Sequence, residues 1–262
     1  MKIIRYSAVL SVVTFAVLIA ATIGWAAEPS AQDILNSITG SRAFTGSGQA
    51  TVELTITNKQ GKSKVQSLDI YRSDDKGTIS QLVVFNTPAD VKGTKFLSIT
   101  ASGKESQMWL YLPALGRERV IAGSAVEGAF MGTDFSFAEI SGDVSFSKEY
   151  TAKRLADKKI EGLDCYMLQL TPRSAKSTYS YVNMAVHKTS RVPLSVEFYN
   201  KSKKLVKKLN SSDLRKNSKG EWQPYEITMS NVSTGSTTKI CLLKVSEAAV
   251  SADVFTLRYL RR

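Results

Sequence analysis

The sequence predicts a mainly β protein built on one antiparallel, strongly curved sheet. Apolar and polar residues alternate with a period of two along most of the chain. Turn-forming stretches interrupt that alternation at short intervals, as in hairpin-connected sheets. Helical spacing is confined to three short segments.

The elements follow in order. Asp33 is placed to cap a first helix, in which Ile34, Leu35 and Ile38 fall at helical spacing before Gly40 ends it. The period then changes to two: Ala50, Val52, Leu54 and Ile56 alternate with Thr51, Glu53, Thr55 and Thr57. Asn58-Lys59-Gln60-Gly61 turns the chain into a returning strand, Val65 to Tyr71, and Asp74-Asp75-Lys76-Gly77 turns it again into Ile79 to Phe85. Strands are expected at Lys95 to Thr100 and Gln107 to Leu112, then at Leu163 to Leu170, Ser180 to Val186, Leu194 to Tyr199 and Lys204 to Leu209. Glu221 to Met229 and Thr238 to Val245 complete the series. Further helical turns are expected around Phe135 to Ile140 and Asp253 to Leu257. So few helical residues cannot form a second layer, so the sheet either closes around its own side chains or holds a cavity beneath a lid.

The first residues carry an export signature. Lys2 and Arg5 precede an uncharged apolar run from Ala8 to Ile23, and Gly24-Trp25-Ala26-Ala27 supplies small residues for cleavage after Ala26 or Ala27. The expectation is a signal peptide over residues 1–26, a single β domain over 27–262, and a periplasmic location. No cysteine follows the apolar run, so the chain has no lipidation site there. In an oxidising compartment Cys165 and Cys241 could pair, closing a long loop worth about 4 kcal/mol, or remain as two thiols. The formal charge is +12. For an exported chain this points away from nucleic acid and towards anionic head groups or an acidic partner, unless it serves solubility alone.

Residues 108–140, MWLYLPALGRERVIAGSAVEGAFMGTDFSFAEI, break the alternation. Trp109, Tyr111, Phe130, Met131, Phe135 and Phe137 are set among glycines, an apolar stretch suited to packing as a lid or meeting an apolar ligand. Arg117 and Arg119 in the same segment could meet phosphate or a partner, or pair with Glu118, Asp134 or Glu139. Lys201, Lys203, Lys204, Lys207 and Lys208 cluster around a hairpin, either as a solvated edge or as a docking patch for an anionic membrane.

Enzymatic signatures are few. The lone His187 leaves no triad or metal site that needs two histidines, no G-x-S-x-G elbow occurs, and the cysteines are too far apart for a redox pair. Gly61-Lys62-Ser63 lacks the earlier glycine of a phosphate loop, Ile56 standing in its place. No cofactor or metal is implied.

WLYLPALGRERVI followed by FMGTDFSFAEI resembles the lipoprotein-sorting proteins of the LolA-like superfamily. NTPADVKGTKFL, IEGLDCYMLQL, RVPLSVEFY and EWQPYEITMSN fit the same family in order, so the likeness spans nearly the whole chain after the export signal. The resemblance implies a LolA/LolB-like half-open β-barrel, capped by short helices, whose concave face receives acyl chains. The residues expected to line cavity and lid are Leu54, Ile56, Phe85, Phe96, Trp109, Tyr111, Phe130, Met131, Phe135 and Phe137, with Arg117 and Arg119 meeting a head group or partner. The implied role is a monomeric periplasmic carrier of lipoprotein or other lipid cargo. It would take that cargo from an inner-membrane export permease to an outer-membrane acceptor. A lipid sensor that binds without transfer, or an esterase, are the rival readings.

Overall fold

The computed structural model describes residues 28–38, 47–141, 146–175 and 177–262. The expected export signal and Gly40 lie outside them.

Among the described residues thirteen strands form one sheet, and every neighbouring pair is antiparallel. The first meander is β1 (Gly48–Thr57), β2 (Ser63–Asp75), β3 (Thr78–Thr87), β4 (Lys95–Thr100), β5 (Gln107–Leu112) and β6 (Arg117–Ile121). The second is β7 (Tyr150–Ile160), β8 (Leu163–Pro172), β9 (Tyr179–His187), β10 (Pro193–Asn200), β11 (Leu205–Lys216), β12 (Trp222–Asn231) and β13 (Ser236–Ser246). The β1–β13 ladder, with Leu54 opposite Ile240, joins the meanders. The sheet order runs from β6 at one edge to β7 at the other, so the barrel stays open. Register shifts in the β1–β13, β2–β3, β7–β8 and β10–β11 ladders supply bulges that increase the local bend.

One turn device recurs. Asn58, Asn200, Asn217 and Asn231 each accept backbone N–H bonds through Oδ1 from residues two to four positions on, at 2.8 to 3.2 Å. These side chains mimic a backbone turn and fix hairpin register.

Alternation along each strand sends one residue set to a shared core. Val52 and Leu54, Leu68, Val83 and Phe85, Leu168 and Leu170, Val182 and Met184, Ile227 and Met229, and Ile240 and Leu242 all belong to it. The outer face of β3–β5 is covered separately by the C-terminal segment. There Phe255 and Leu260 of α4 (Leu257–Leu260) and the helical turn before it pack on Leu82 and Leu97.

The first helix, α1 (Ala31–Asn36), differs from expectation at its start. Ser30 is the cap, and Asp33 sits at the third helical position, completing a reciprocal capping box. Two edge strands, β6 and β7, were not anticipated. An edge strand pairs on one side only, and their inward positions include Arg117, Arg119 and Arg154, so neither carries an apolar alternation. The cysteines are free thiols. Cys165 lies on β8 and Cys241 on β13 with four strands between them, at about 4.8 Å per strand spacing, which is beyond disulfide reach.

Candidate functional site

The concave face does not pack solid. A cavity of about 540 Å³ remains between the sheet and the segment that crosses it. Its floor is apolar and drawn from both meanders: Leu54, Ile70 and Val83 on one side, Leu209, Ile227 and Met229 on the other. These positions fall inside because each is one of the alternating inward residues of its strand.

The roof is the described part of the chain between the two sheet edges, residues 122–141 and 146–149. It includes α2 (Phe137–Ile140) and α3 (Phe146–Glu149). Met131 and Gly132 take positive φ (49° and 79°), forming a tight reversal closed by a 2.8 Å bond from the Phe130 N–H to the Phe135 carbonyl. That reversal drives Phe130 into an aromatic group, with ring centroids 5.8 Å from Phe85 and 5.3 Å from both Phe96 and Phe137. Edge-to-face and tilted contacts of this kind favour a defined packing over a fluid one.

Polar bonds tie the roof to the sheet at three places. The Asp134 carboxylate accepts from Ser236 and, at 2.8 Å, from Thr238 on β13. The C-terminal carbonyls of α2 accept from Gln81 on β3 and, at 2.8 Å, from Ser98 on β4. Glu139 accepts from its own cap, Ser136 N–H, at 2.7 Å, and meets Lys207 Nζ of β11 at 3.2 Å and the Tyr179 hydroxyl of β9 at 3.4 Å. The Lys207 and Glu139 side chains are each only 18% exposed, so this ion pair is less screened than a surface pair. α2 therefore bridges the two meanders across the hollow.

Polarity gathers at one end of the cavity, where Glu127, Glu139 and Glu149 stand near Lys148 and Arg173. Burial, and then the charges of Glu149 and Glu139, push the Tyr150 phenol well above its ordinary value. Burial, followed by Glu139 and Glu127, does the same to Tyr179. Desolvation, then Glu139, raises the Glu127 carboxyl. The phenols are therefore held as neutral hydrogen-bonding groups at the border between an apolar floor and a charged rim.

Of the residues singled out in the sequence, Leu54, Phe130 and Phe135 line the hollow. Phe85, Phe96 and Phe137 sit on the same side but form the aromatic packing that supports Phe130. Ile56 shares the inward face of β1 towards its turn and is half-buried, outside the lining, and Met131 packs at the margin of the core. Trp109 and Tyr111 lie on the opposite face, under the C-terminal segment. In β5 the inward positions are Met108 and Leu110, so period two sends Trp109 and Tyr111 outward, which revises their expected place in the cavity. Arg117 and Arg119 are exposed on edge strand β6. The carboxylates considered as their partners are engaged elsewhere: Glu118 with Arg261, Asp134 with β13, and Glu139 with Lys207.

Sequence reasoning missed Lys207, Tyr179 and Gln81. Lys207 reads as one of a lysine run, and only its inward register beside Phe198 sets it apart.

Residues 77–262 match the model of a family described as an uncharacterized protein. No curated protein matches the sequence. Among solved structures, the chain is similar to a domain from Vibrio parahaemolyticus named as an outer membrane lipoprotein-sorting protein. The identity is 27%, 88% of this chain and 97% of that one are covered, and the TM-score is 0.79. A DUF1329 family protein from Desulfovibrio piger is 28% identical over 88% of this chain and 97% of its own, at a TM-score of 0.80. A LolA superfamily protein from Nitrosomonas europaea shares the fold at 20% identity, with 88% and 99% covered and a TM-score of 0.69. Among the described residues no helix is long and apolar enough to cross a membrane.

Proposed function

The chain belongs to the family whose model its residues 77–262 match, has the LolA-like fold, and on that premise we propose that it binds acyl chains in the concave cavity and carries lipid-modified cargo through the periplasm. The observation that carries this reading is the unfilled apolar hollow of about 540 Å³ beneath a tied roof. That volume lies in the range of small-molecule sites, roughly 300–1,000 Å³. Protein interiors are otherwise close-packed, so an apolar void of this size with a polar rim at one end has the form of a site for an elongated apolar guest.

Energetics favour the same reading. A buried methylene is worth about 0.8 kcal/mol, so a chain of a dozen or so methylenes in the hollow gains roughly 10 kcal/mol over water. Release then requires an opening that exposes the guest to an acceptor. A roof held by a handful of side-chain bonds at three places is a suitable moving part. The cargo is a lipoprotein or another acylated lipid, the donor an inner-membrane permease and the acceptor an outer-membrane component.

Transfer is the property that separates a carrier from a lipid sensor. Donor vesicles holding a fluorescent acylated peptide are mixed with acceptor vesicles, and the rate of label movement is followed with and without the protein. A carrier raises the rate in proportion to its concentration. Saturable binding of the label with no change in transfer rate would replace the carrier reading with the sensor.

A further inference from the structure

Strand direction alternates through the sheet, so the turns after β1, β3, β5, β8, β10 and β12 all emerge at one end. Four of them, after β12, β1, β3 and β5, meet one another in that order. Lys64 beside the first turn bonds Asp90 of the second at 2.7 Å. A Cβ on Gly93 of the second would lie 3.2 Å from Pro113 of the third, and one on Gly235 of the last would lie 3.2 Å from Lys59 of the first.

Charge in the six turns is nearly all positive, with Glu149, which leads into β7 beside Arg173, as a carboxylate at the same end. Lys59 and Lys62 occupy the first turn, Lys92 the second, and Lys201, Lys203 and Lys204 the turn after β10, all of them exposed. The single carboxylate in the six turns is Asp90, already paired with Lys64. The opposite end is more mixed: Glu105, Glu161 and Glu221 stand there among Lys76, Lys104, Lys188, Arg191 and Lys219. Positive charge retained only for solubility would have no reason to favour one end.

Two more features coincide there. Leu115 in the turn after β5 is 58% exposed and Val232 in the turn after β12 is 53% exposed, with Val65 beside the first turn at 51%. The cavity lining also reaches this end, through Pro172, Arg173, Ser177 and Thr178 after β8. Scattered lysines with a few aliphatic side chains between them suit a fluid, diffusely charged surface, whereas a fixed acidic partner is better met by bidentate arginines.

We propose that this end of the molecule docks on an anionic lipid bilayer, bringing the polar mouth of the cavity to the membrane; the inference deepens the acyl-binding reading and rests on it. Docking by long-range attraction is reversible and weakens with salt, as a shuttling protein requires.

The test is co-sedimentation of the protein, purified from a producing bacterium with its N-terminus read by intact mass. The vesicles are phosphatidylcholine alone or the same lipid with about a quarter phosphatidylglycerol, at about 0.15 M salt. The variant Lys201→Glu/Lys203→Glu/Lys204→Glu shares that N-terminus, so the difference between the two proteins reports the turn face. Preference for the anionic vesicles is expected, with a loss of about 100-fold in the variant, and with the affinity for a fluorescent fatty acid unchanged. Leu115→Asp/Val232→Asp provides a second variant with the same expected direction, and the melting temperature of each confirms folding. Equal binding to both vesicle types, no binding to either, or full anionic binding by both variants would overturn the proposal. Capture by soluble polyglutamate without vesicle binding would also overturn it and assign the face to an acidic protein. Vesicle binding that persists while the fatty acid fails to bind would sink the acyl-cavity reading alone.

Discussion

Ile70 and Leu209 face the same hollow from the two meanders, β2 and β11, and both are only half-buried, so each side chain borders empty space. Replacing either with Trp extends an indole into the cavity with little overpacking of the sheet. If the indole takes the room of about three methylenes, the guest loses about 2.4 kcal/mol, roughly 50-fold in affinity. Saturated fatty acids of increasing length sharpen the measurement. The unaltered protein gains about fourfold in affinity per methylene until the hollow is full, then levels off. Ile70→Trp and Leu209→Trp each move that plateau to chains about three carbons shorter, and the double variant moves it further. Calorimetric titration across the length series reads both slope and plateau, with thermal melting as the control for folding. An unchanged plateau in two folded variants would mean that the guest, if there is one, does not occupy this hollow.

Three further outcomes follow from the same geometry. Glu139→Gln keeps the capping contact of α2 but removes the charge facing Lys207. It is expected to lower the melting temperature by about 3–6 °C and to speed guest release, and no change in either would free the roof from that tie. The raised phenols of Tyr150 and Tyr179 keep their protons in the folded state after the unfolded chain has released them near pH 10. The stability they contribute is complete below that value and is lost as pH rises beyond it. Urea midpoints measured from about pH 9 to 11.5 should fall, and Tyr150→Phe/Tyr179→Phe should flatten that decline; parallel curves would contradict the assignment. Cys241→Ser should leave the melting temperature unchanged in oxidising and reducing buffer alike, because the thiols are unpaired; a loss of about 4 kcal/mol under oxidation would show a bond.

Most of the sheet was legible because its signal is local. Period-two alternation over Ala50 to Thr57, or Val182-Met184-Val186, follows from a strand with one buried face, and the structure sets these residues on the face it requires. Lys95 to Thr100 and Gln107 to Leu112 match β4 and β5 at both ends. What escaped depends on position within the sheet. β6 and β7 are edge strands whose inward arginines hide the alternation. Trp109 and Tyr111 were drawn to the cavity by their aromatic character, yet parity with Met108 and Leu110 decides their side, and it places them beneath the C-terminal segment. In the roof, the richness of residues 108–140 in aromatics was visible, but the division between lining and support was not. Phe130 and Phe135 border the hollow while Phe96 and Phe137 hold Phe130 in place. Lys207 and Gln81 gain their roles from α2, which lies distant in sequence and adjacent in space.

Native mass spectrometry of the protein taken directly from the envelope of a producing bacterium tests the hollow most directly. An occupied cavity predicts added masses that correspond to acyl-bearing species, released by mild activation and absent from the Ile70→Trp/Leu209→Trp variant prepared in parallel. Bare protein in both preparations, or the same adducts at the same occupancy in both, would contradict an acyl chain lodged beneath the roof.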